Sequence, residues 1–430
     1  MINQITENVF RSCESRSKQI AVVLLAIGGW LSIYPYFLWG DLWAFIIGAV
    51  MAVVGGGLLL LTSSESKYRG KESWAIIFLT TFILYITLQK KMDGEHAMWV
   101  FVLPTLWTLA IFTENQRQRC FQLFYSIFTI SLLPSIIAWL WLVAGFPLDF
   151  ETIPRRNTLM GGEVYTFPGI IFDGYNSIVL PWGGVLFRLC GMYDEPGMVG
   201  TISALILAAL RFQVNDWRSI ILFVAGIMSF SLAFVVLGTI GFLGRAIVLK
   251  KITPVFALIP LLLAASLTLG FITLPTPSER QHSITYSTVT GTTKLEIGRH
   301  IRSPTYINNR TLPAMEELIS EYWNSDLTTI IFGIASDASV VRGGESQVWT
   351  RILTNHGIVG FCLLLIGCSI YAWVVWQRSG FSPFVMLFFA VFVFSFYQRP
   401  VIWMPYTLII MLCGPFVLIE SQKIKVLNGK

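Results

Sequence analysis

Residues 298–360 read GRHIRSPTYINNRTLPAMEELISEYWNSDLTTIIFGIASDASVVRGGESQVWTRILTNHGIVG. With Arg299, His300, Arg302, Arg310, Glu316, Glu317, Glu321, Asp326, Arg342 and Glu345 spread along it, this segment is too polar to cross a bilayer. Apolar runs of hydrocarbon length bracket it, 252–274 before and 356–376 after, and such runs cross membranes as helices. The stretch is therefore expected in water, tethered to a membrane at both ends, with the rest of the chain as its scaffold.

Composition supports a membrane chain throughout. Apolar residues make up 55% of the 430 and charged residues 13%, against about a quarter charged in soluble domains. Apolar runs of roughly twenty residues, rather than alternating segments of about ten, point to helices and not a barrel. They fall at 19–39, 43–62, 73–89, 98–113, 121–145, 198–210, 219–230, 232–249, 252–274, 354–376, 381–397 and 401–419. The reading is an all-α polytopic membrane protein of about twelve transmembrane helices, a single integral-membrane domain over residues 1–430. The first run lacks a small-residue cleavage site and reads as a retained helix. Residues 219–249 form either a strongly bent pair meeting near Ser229 and Ser231 or one long helix.

Loop charges favour the pair. Lys67, Arg69 and Lys71; Arg117 and Arg119; Arg211 and Arg218; Lys250 and Lys251; Arg378; and Lys423 and Lys425 all fall on one side when the count is twelve. The positive-inside rule makes that side the cytoplasm. Both termini are then cytoplasmic, and two large loops, 146–197 and 275–347, face outward. Lys90 and Lys91 fall on the wrong side, accompanied by Asp93 and Glu95. The net charge of +6 is accounted for by these short basic loops and gives no reason to expect nucleic acid. Within the first outward loop, Ile170-Ile171-Phe172 is expected to dip into the membrane interface. In the second, Leu312, Met315, Ile319 and Trp323 recur at helical spacing and predict an amphipathic helix over 312–323. The six cysteines are scattered and suggest neither a disulfide framework nor a metal site.

Three constellations carry chemistry-bearing residues. Arg188-Leu-Cys-Gly-Met-Tyr-Asp-Glu195-Pro196-Gly197 leads into an apolar helix, whose free N–H groups and positive dipole end suit an anion. Glu195 there is either a general base or a helix cap, and Arg188 either meets a ligand or snorkels to headgroups. Arg310, with Arg299 and Arg302 upstream, offers the planar donor fork that grips phosphate, or else pairs with Glu316, Glu317 and Glu321. Glu345-Ser346-Gln347 opens the next helix, with Arg351, His356, Gly357 and Gly360 following. Gln347 suits sugar hydroxyls, and the glycines suit close helix approach. His356 is a base or a helix-to-helix hydrogen-bonding group, and Arg399 sits at another outer helix end.

Taken in this order, Arg188…Glu195-Pro196, then Arg310 ahead of Gly333, then Ser346-Gln347 followed by Gly357-x-x-Gly360, the chain resembles the O-antigen polymerase and ligase superfamily over about 188–376. The resemblance implies a metal-independent, cofactor-free, inverting membrane glycosyltransferase in the bacterial inner membrane. Its substrates would be undecaprenyl-pyrophosphate-linked glycans as both donor and acceptor, used at the periplasmic face. Membrane lipids and a chain-length regulator protein are the further partners it implies. Arg188 and Arg310 would contact the carrier pyrophosphate and Glu195 would deprotonate the acceptor, with Glu345 and His356 near enough to substitute. Substrate contacts fall to Arg299, Arg302, Ser346, Gln347, Arg351, His356 and Arg399. Ligases tend to carry a histidine where this chain has Ser346-Gln347, which favours a polymerase over a ligase. A flippase or transporter is the competing class. It predicts charge at mid-membrane and a repeat between halves, whereas the apolar runs are nearly charge-free at their centres and show no repeat.

Overall fold

The computed structural model describes residues 2–38, 43–62, 70–89, 102–144, 151–154, 163–167, 169–172, 178–179, 185–186, 188–250, 284–289, 292–297, 313–334, 348–397 and 404–428. Its helices, in chain order, are α1 (Ile2–Leu31), α2 (Trp43–Thr62), α3 (Gly70–Leu88), α4 (Val102–Ile111), α5 (Glu114–Val143), α6 (Pro196–Ala209), α7 (Trp217–Met228) and α8 (Leu232–Leu249), then α9 (Pro313–Trp323), α10 (Leu327–Phe332), α11 (Val348–Arg378), α12 (Pro383–Ser395) and α13 (Pro405–Asn428). Gly70–Leu88, Glu114–Trp141, Leu232–Leu249 and Trp349–Arg378 are long and apolar enough to cross a membrane. Shorter apolar helices of 10 to 17 residues pack among them. This is the arrangement of a multi-pass helical membrane protein. The expected span at 252–274 lies outside the described residues.

Helix contacts follow from where small residues and polar ends fall. Gly28 of α1 and Gly48 of α2 meet so closely that a Cβ on Gly28 would sit 3.3 Å from the Gly48 carbonyl oxygen. Small residues at such crossings let backbones approach where lipid provides no hydrophobic drive. α3 and α11 run antiparallel, with Glu72 meeting Arg378 at one end and Gln89 meeting His356 at the other. The most enclosed helix is α6, buried at every residue except Met198. At 14 residues it is about 21 Å long, short for a hydrocarbon core of about 30 Å. Packing between α7, α8, α12 and α13 gives it protein rather than lipid as surroundings.

α7 and α8 are separate helices joined by a turn at Ser229–Ser231, where Phe230 has φ +44°. That is the bent pair and not one long helix. α7 starts from a capping box in which Asp216 accepts from the backbone N–H groups of Arg218 and Ser219. The two ends of the bundle differ in charge. Lys71, Arg117, Arg211, Arg218, Lys250 and Arg378 cluster at one, the basic end. At the other, the loop end, Tyr406 N–H donates to Ser32 Oγ and Tyr36 N–H to the Met192 carbonyl, joining the end of α1, the start of α13 and the approach to α6.

The structure adds to or changes the sequence reading at three places. The loop at 146–197 carries strands. It contains an antiparallel sheet of β1 (Glu151–Pro154), β2 (Glu163–Phe167) and β3 (Ile170–Phe172), then a β4 (Ile178–Val179) and β5 (Val185–Leu186) pair. β6 (Ile284–Val289) and β7 (Thr292–Ile297) form a hairpin in the loop at 275–347. Ile170 and Ile171, expected in the membrane interface, are 1% and 2% exposed. They are paired with β2, and Ile171 N–H donates to the Gly191 carbonyl, so strand pairing and protein contact bury what lipid was expected to cover. The predicted amphipathic helix forms as α9, but its buried face is Leu318 and Tyr322, while Trp323 is 55% exposed. The Tyr322 hydroxyl reaches forward to the Ile330 carbonyl at 2.7 Å, and that contact with α10 selects the face.

Candidate functional site

Two polar nodes occupy the loop end. The first is the approach to α6. Gly191, at φ +67°, turns the chain beneath Leu132 of α5 in a conformation that suits a residue without a side chain. Tyr193 is fully buried behind it, with its hydroxyl accepting from Trp30 Nε1 at 2.9 Å and lying 2.5 Å from Ser131 Oγ. Burial raises the Tyr193 pKa, more than those two bonds lower it, so the group stays a neutral phenol. Glu195 is the N-cap residue of α6 with extended backbone (φ −138°, ψ 141°), and Pro196 supplies the first helical position. Its side chain makes no capping hydrogen bond to the helix.

Arg188 is held a few residues away. Its Nε donates to the Ser229 carbonyl at 2.9 Å and its Nη2 to the Phe230 carbonyl at 3.0 Å. These are carbonyls at the end of α7, which no later helical turn can satisfy, so the guanidinium serves as a helix C-terminal clasp. Leu189 N–H adds a bond to the Met228 carbonyl. The same turn presses on α6: a Cβ on Gly200 would meet the Ser231 Cβ at 2.6 Å. Arg188, the α7–α8 turn and the first turns of α6 thus form one rigid unit that positions Glu195.

The second node is a break in α11. Gly357 has φ +65° and ψ −171°, which no helix contains. Backbone from α10 passes through the gap: Gly333, at φ +93°, lies against the Asn355 carbonyl, and Ile334 N–H donates to the Thr354 carbonyl at 2.8 Å. Around this crossing α3 contributes Tyr85 and Gln89. The Tyr85 hydroxyl donates to the His356 carbonyl at 3.1 Å, Gln89 Nε2 donates to the Phe332 carbonyl, and His356 Nδ1 lies 2.6 Å from Gln89 Oε1. An amide oxygen only accepts, so that contact puts the proton on His356 Nδ1. His356 is 6% exposed. Its Nδ1 makes the helix-to-helix bond that was one of its two sequence readings. Arg351 lies about one and a half turns nearer the start of α11, half-buried. Tyr85 and Gln89 were missed from sequence because an aromatic and an amide at the end of an apolar run look like ordinary interfacial residues.

Arg188 and Glu195 lie on one loop, and Arg351 and His356 on one helix. Arg299, Arg302, Arg310, Ser346, Gln347 and Arg399, and with them Glu345, lie outside the described residues. Among the described residues, no cluster of three or more His, Cys, Asp or Glu side chains has the arrangement of a metal site.

The class these features define is a multi-pass helical membrane protein with two polar nodes at the loop end. No family model, curated protein or solved structure matches the chain.

Proposed function

We propose that this protein is a polysaccharide polymerase of the bacterial inner membrane. It transfers a growing glycan from one undecaprenyl-pyrophosphate carrier to the lipid-linked repeat unit of another at the periplasmic face. The observation that supports the reading is the position of Glu195, at the N-terminus of α6 on a loop that Arg188 ties to the end of α7. In the reaction Glu195 takes the proton of the acceptor hydroxyl as its oxygen attacks the anomeric carbon of the donor. The bond from that carbon to the pyrophosphate oxygen breaks and its electron pair leaves on the pyrophosphate, inverting the centre. Arg310 stabilises the charge that develops there. Arg188, with two donors committed to backbone, acts chiefly by fixing the loop. The twelve-span topology with cytoplasmic termini belongs to this proposal, since it puts both nodes where lipid-linked glycans are assembled.

The experiment is complementation of a deletion strain, with carrier-linked glycan length and membrane protein level measured together. Glu195→Gln and Arg310→Ala are expected to leave single repeat units at normal protein level. Arg310→Lys should fail too, because an ammonium cannot form the bidentate contact. Long-chain glycan persisting in Glu195→Gln would overturn the mechanism. A deletion strain with no outward-facing lipid-linked glycan at all would favour a flippase instead.

A further inference from the structure

At the basic end the turn between α6 and α7 holds two guanidiniums that no carboxylate among the described residues pairs with. Arg211 is 6% exposed. Its Nη2 donates to the Leu418 carbonyl at 2.8 Å, and its guanidinium carbon lies 5.0 Å from the centre of the Phe384 ring. Its Nε is buried with no hydrogen-bond partner. Arg245 reaches the same turn from α8, where its Nη1 donates to the Phe212 carbonyl, and its Nε is likewise buried and unpartnered. The acid of that turn, Asp216, is committed elsewhere: it caps α7, accepts from the Tyr125 hydroxyl and sits 3.9 Å from Arg218.

The turn is built to hold this arrangement. Arg211 and Phe212 have φ of +58° and +51°, a conformation unfavourable for side-chain-bearing residues. Packing enforces it: the Phe212 ring fills the space over Gly241, where a Cβ would be only 1.9 Å away. The strain delivers a cation into the bundle with a donor facing no acceptor, although burial disfavours its charge and lowers its pKa. Trp217 and Phe381, 53% and 56% exposed at this end, mark the depth of the headgroups. Lys250, exposed at the end of α8, adds a rim charge.

We infer that Arg211 and Arg245, with Lys250 at the rim, bind the phosphate of an anionic phospholipid in the leaflet at the basic end. A phosphodiester at the rim supplies the negative charge that the turn lacks. Phosphate chemistry is favoured because the leaflet at the depth marked by Trp217 and Phe381 presents phosphodiesters to this basic rim.

Thermal unfolding of the full-length protein tests this in phosphatidylcholine bicelles with phosphatidylglycerol, without it, or with inorganic phosphate added instead. The melting temperature should rise with phosphatidylglycerol, and the rise should disappear in R211Q/R245Q. R218Q removes a charge at the same end that already has Asp216 nearby, and should keep the rise. If the double variant does not fold, R245Q alone, at a half-exposed position, should reduce it. A rise unchanged in R245Q, or equal in pure phosphatidylcholine, would overturn the site. An equal rise with inorganic phosphate, lost in the same variants, would overturn the lipid as its source while keeping the phosphate chemistry.

Discussion

A Cβ on Gly357 would lie 2.2 Å from the Ile331 carbonyl oxygen, and one on Gly333 would lie 2.3 Å from that of Asn355. Both glycines also have φ values that side chains resist, so each substitution adds strain to a clash with backbone that has nowhere to move. Gly357→Ala and Gly333→Ala should each cost about 2–4 kcal/mol of stability, read as a lower melting temperature in detergent. Gly57→Ala and Gly238→Ala, with nothing within 4 Å of the added carbon, should be neutral within about 1 kcal/mol. The sequence marked Gly357 and Gly360 for close approach, and a Cβ on Gly360 would lie 3.3 Å from Tyr85 Cε1. It did not show that Gly357 breaks the helix. That depends on Gly333, 24 positions away, arriving at the same height, and no local pattern encodes such a meeting.

Between elements, the strongest polar tie is Glu72 of α3, buried between Arg117 of α5 and Arg378 of α11. The Arg117 guanidinium also donates to the Leu109 carbonyl at 3.0 Å and packs over Phe416 at 5.1 Å, so five helices are tied together around one ion-pair cluster. Removing that carboxylate strands a buried cation. Glu72→Gln should cost about 3–5 kcal/mol, and Arg117→Met added to it should recover part of the loss, because an apolar replacement leaves no charge unpaired. A second tie responds to pH. Burial alone would raise the Asp216 pKa, but bonds from Ser219, Tyr125 and the Arg218 N–H outweigh it and hold the carboxylate below its ordinary value. The cap is therefore fully present above a pH of about 4 and is lost as pH falls through the lower folded value. Acid titration followed by Trp217 fluorescence should show that transition in the wild type, and Asp216→Asn should abolish it. Helix positions were legible from the apolar runs because lipid imposes length and composition on each span separately. These ties were not, since Arg117 and Arg378 read as loop charges until three helices bring them to Glu72.

For the whole molecule the decisive quantity is which end faces out. The alternation of the helices and the separation of Arg211, Arg245, Lys250 and Arg378 from the Arg188 and His356 nodes fit a basic end in the cytoplasm. The two large loops, by contrast, were legible only as polar apart from the helix at 312–323: strand pairing at 151–172 and the docking of α10 on α11 arise from contacts between distant segments. Orientation can be read directly with single cysteines in a background whose native cysteines are replaced by serine. A membrane-impermeant maleimide added to cells with a permeabilised outer membrane should label Asn324→Cys, on the exposed turn after α9, and leave Lys250→Cys unlabelled until the inner membrane is opened. The reverse pattern would put Glu195 and the broken helix on the side where no assembled lipid-linked glycan waits to be joined. It would end the polymerase proposal even if every residue-scale prediction held, because the chemistry needs its substrates on the same side as its base.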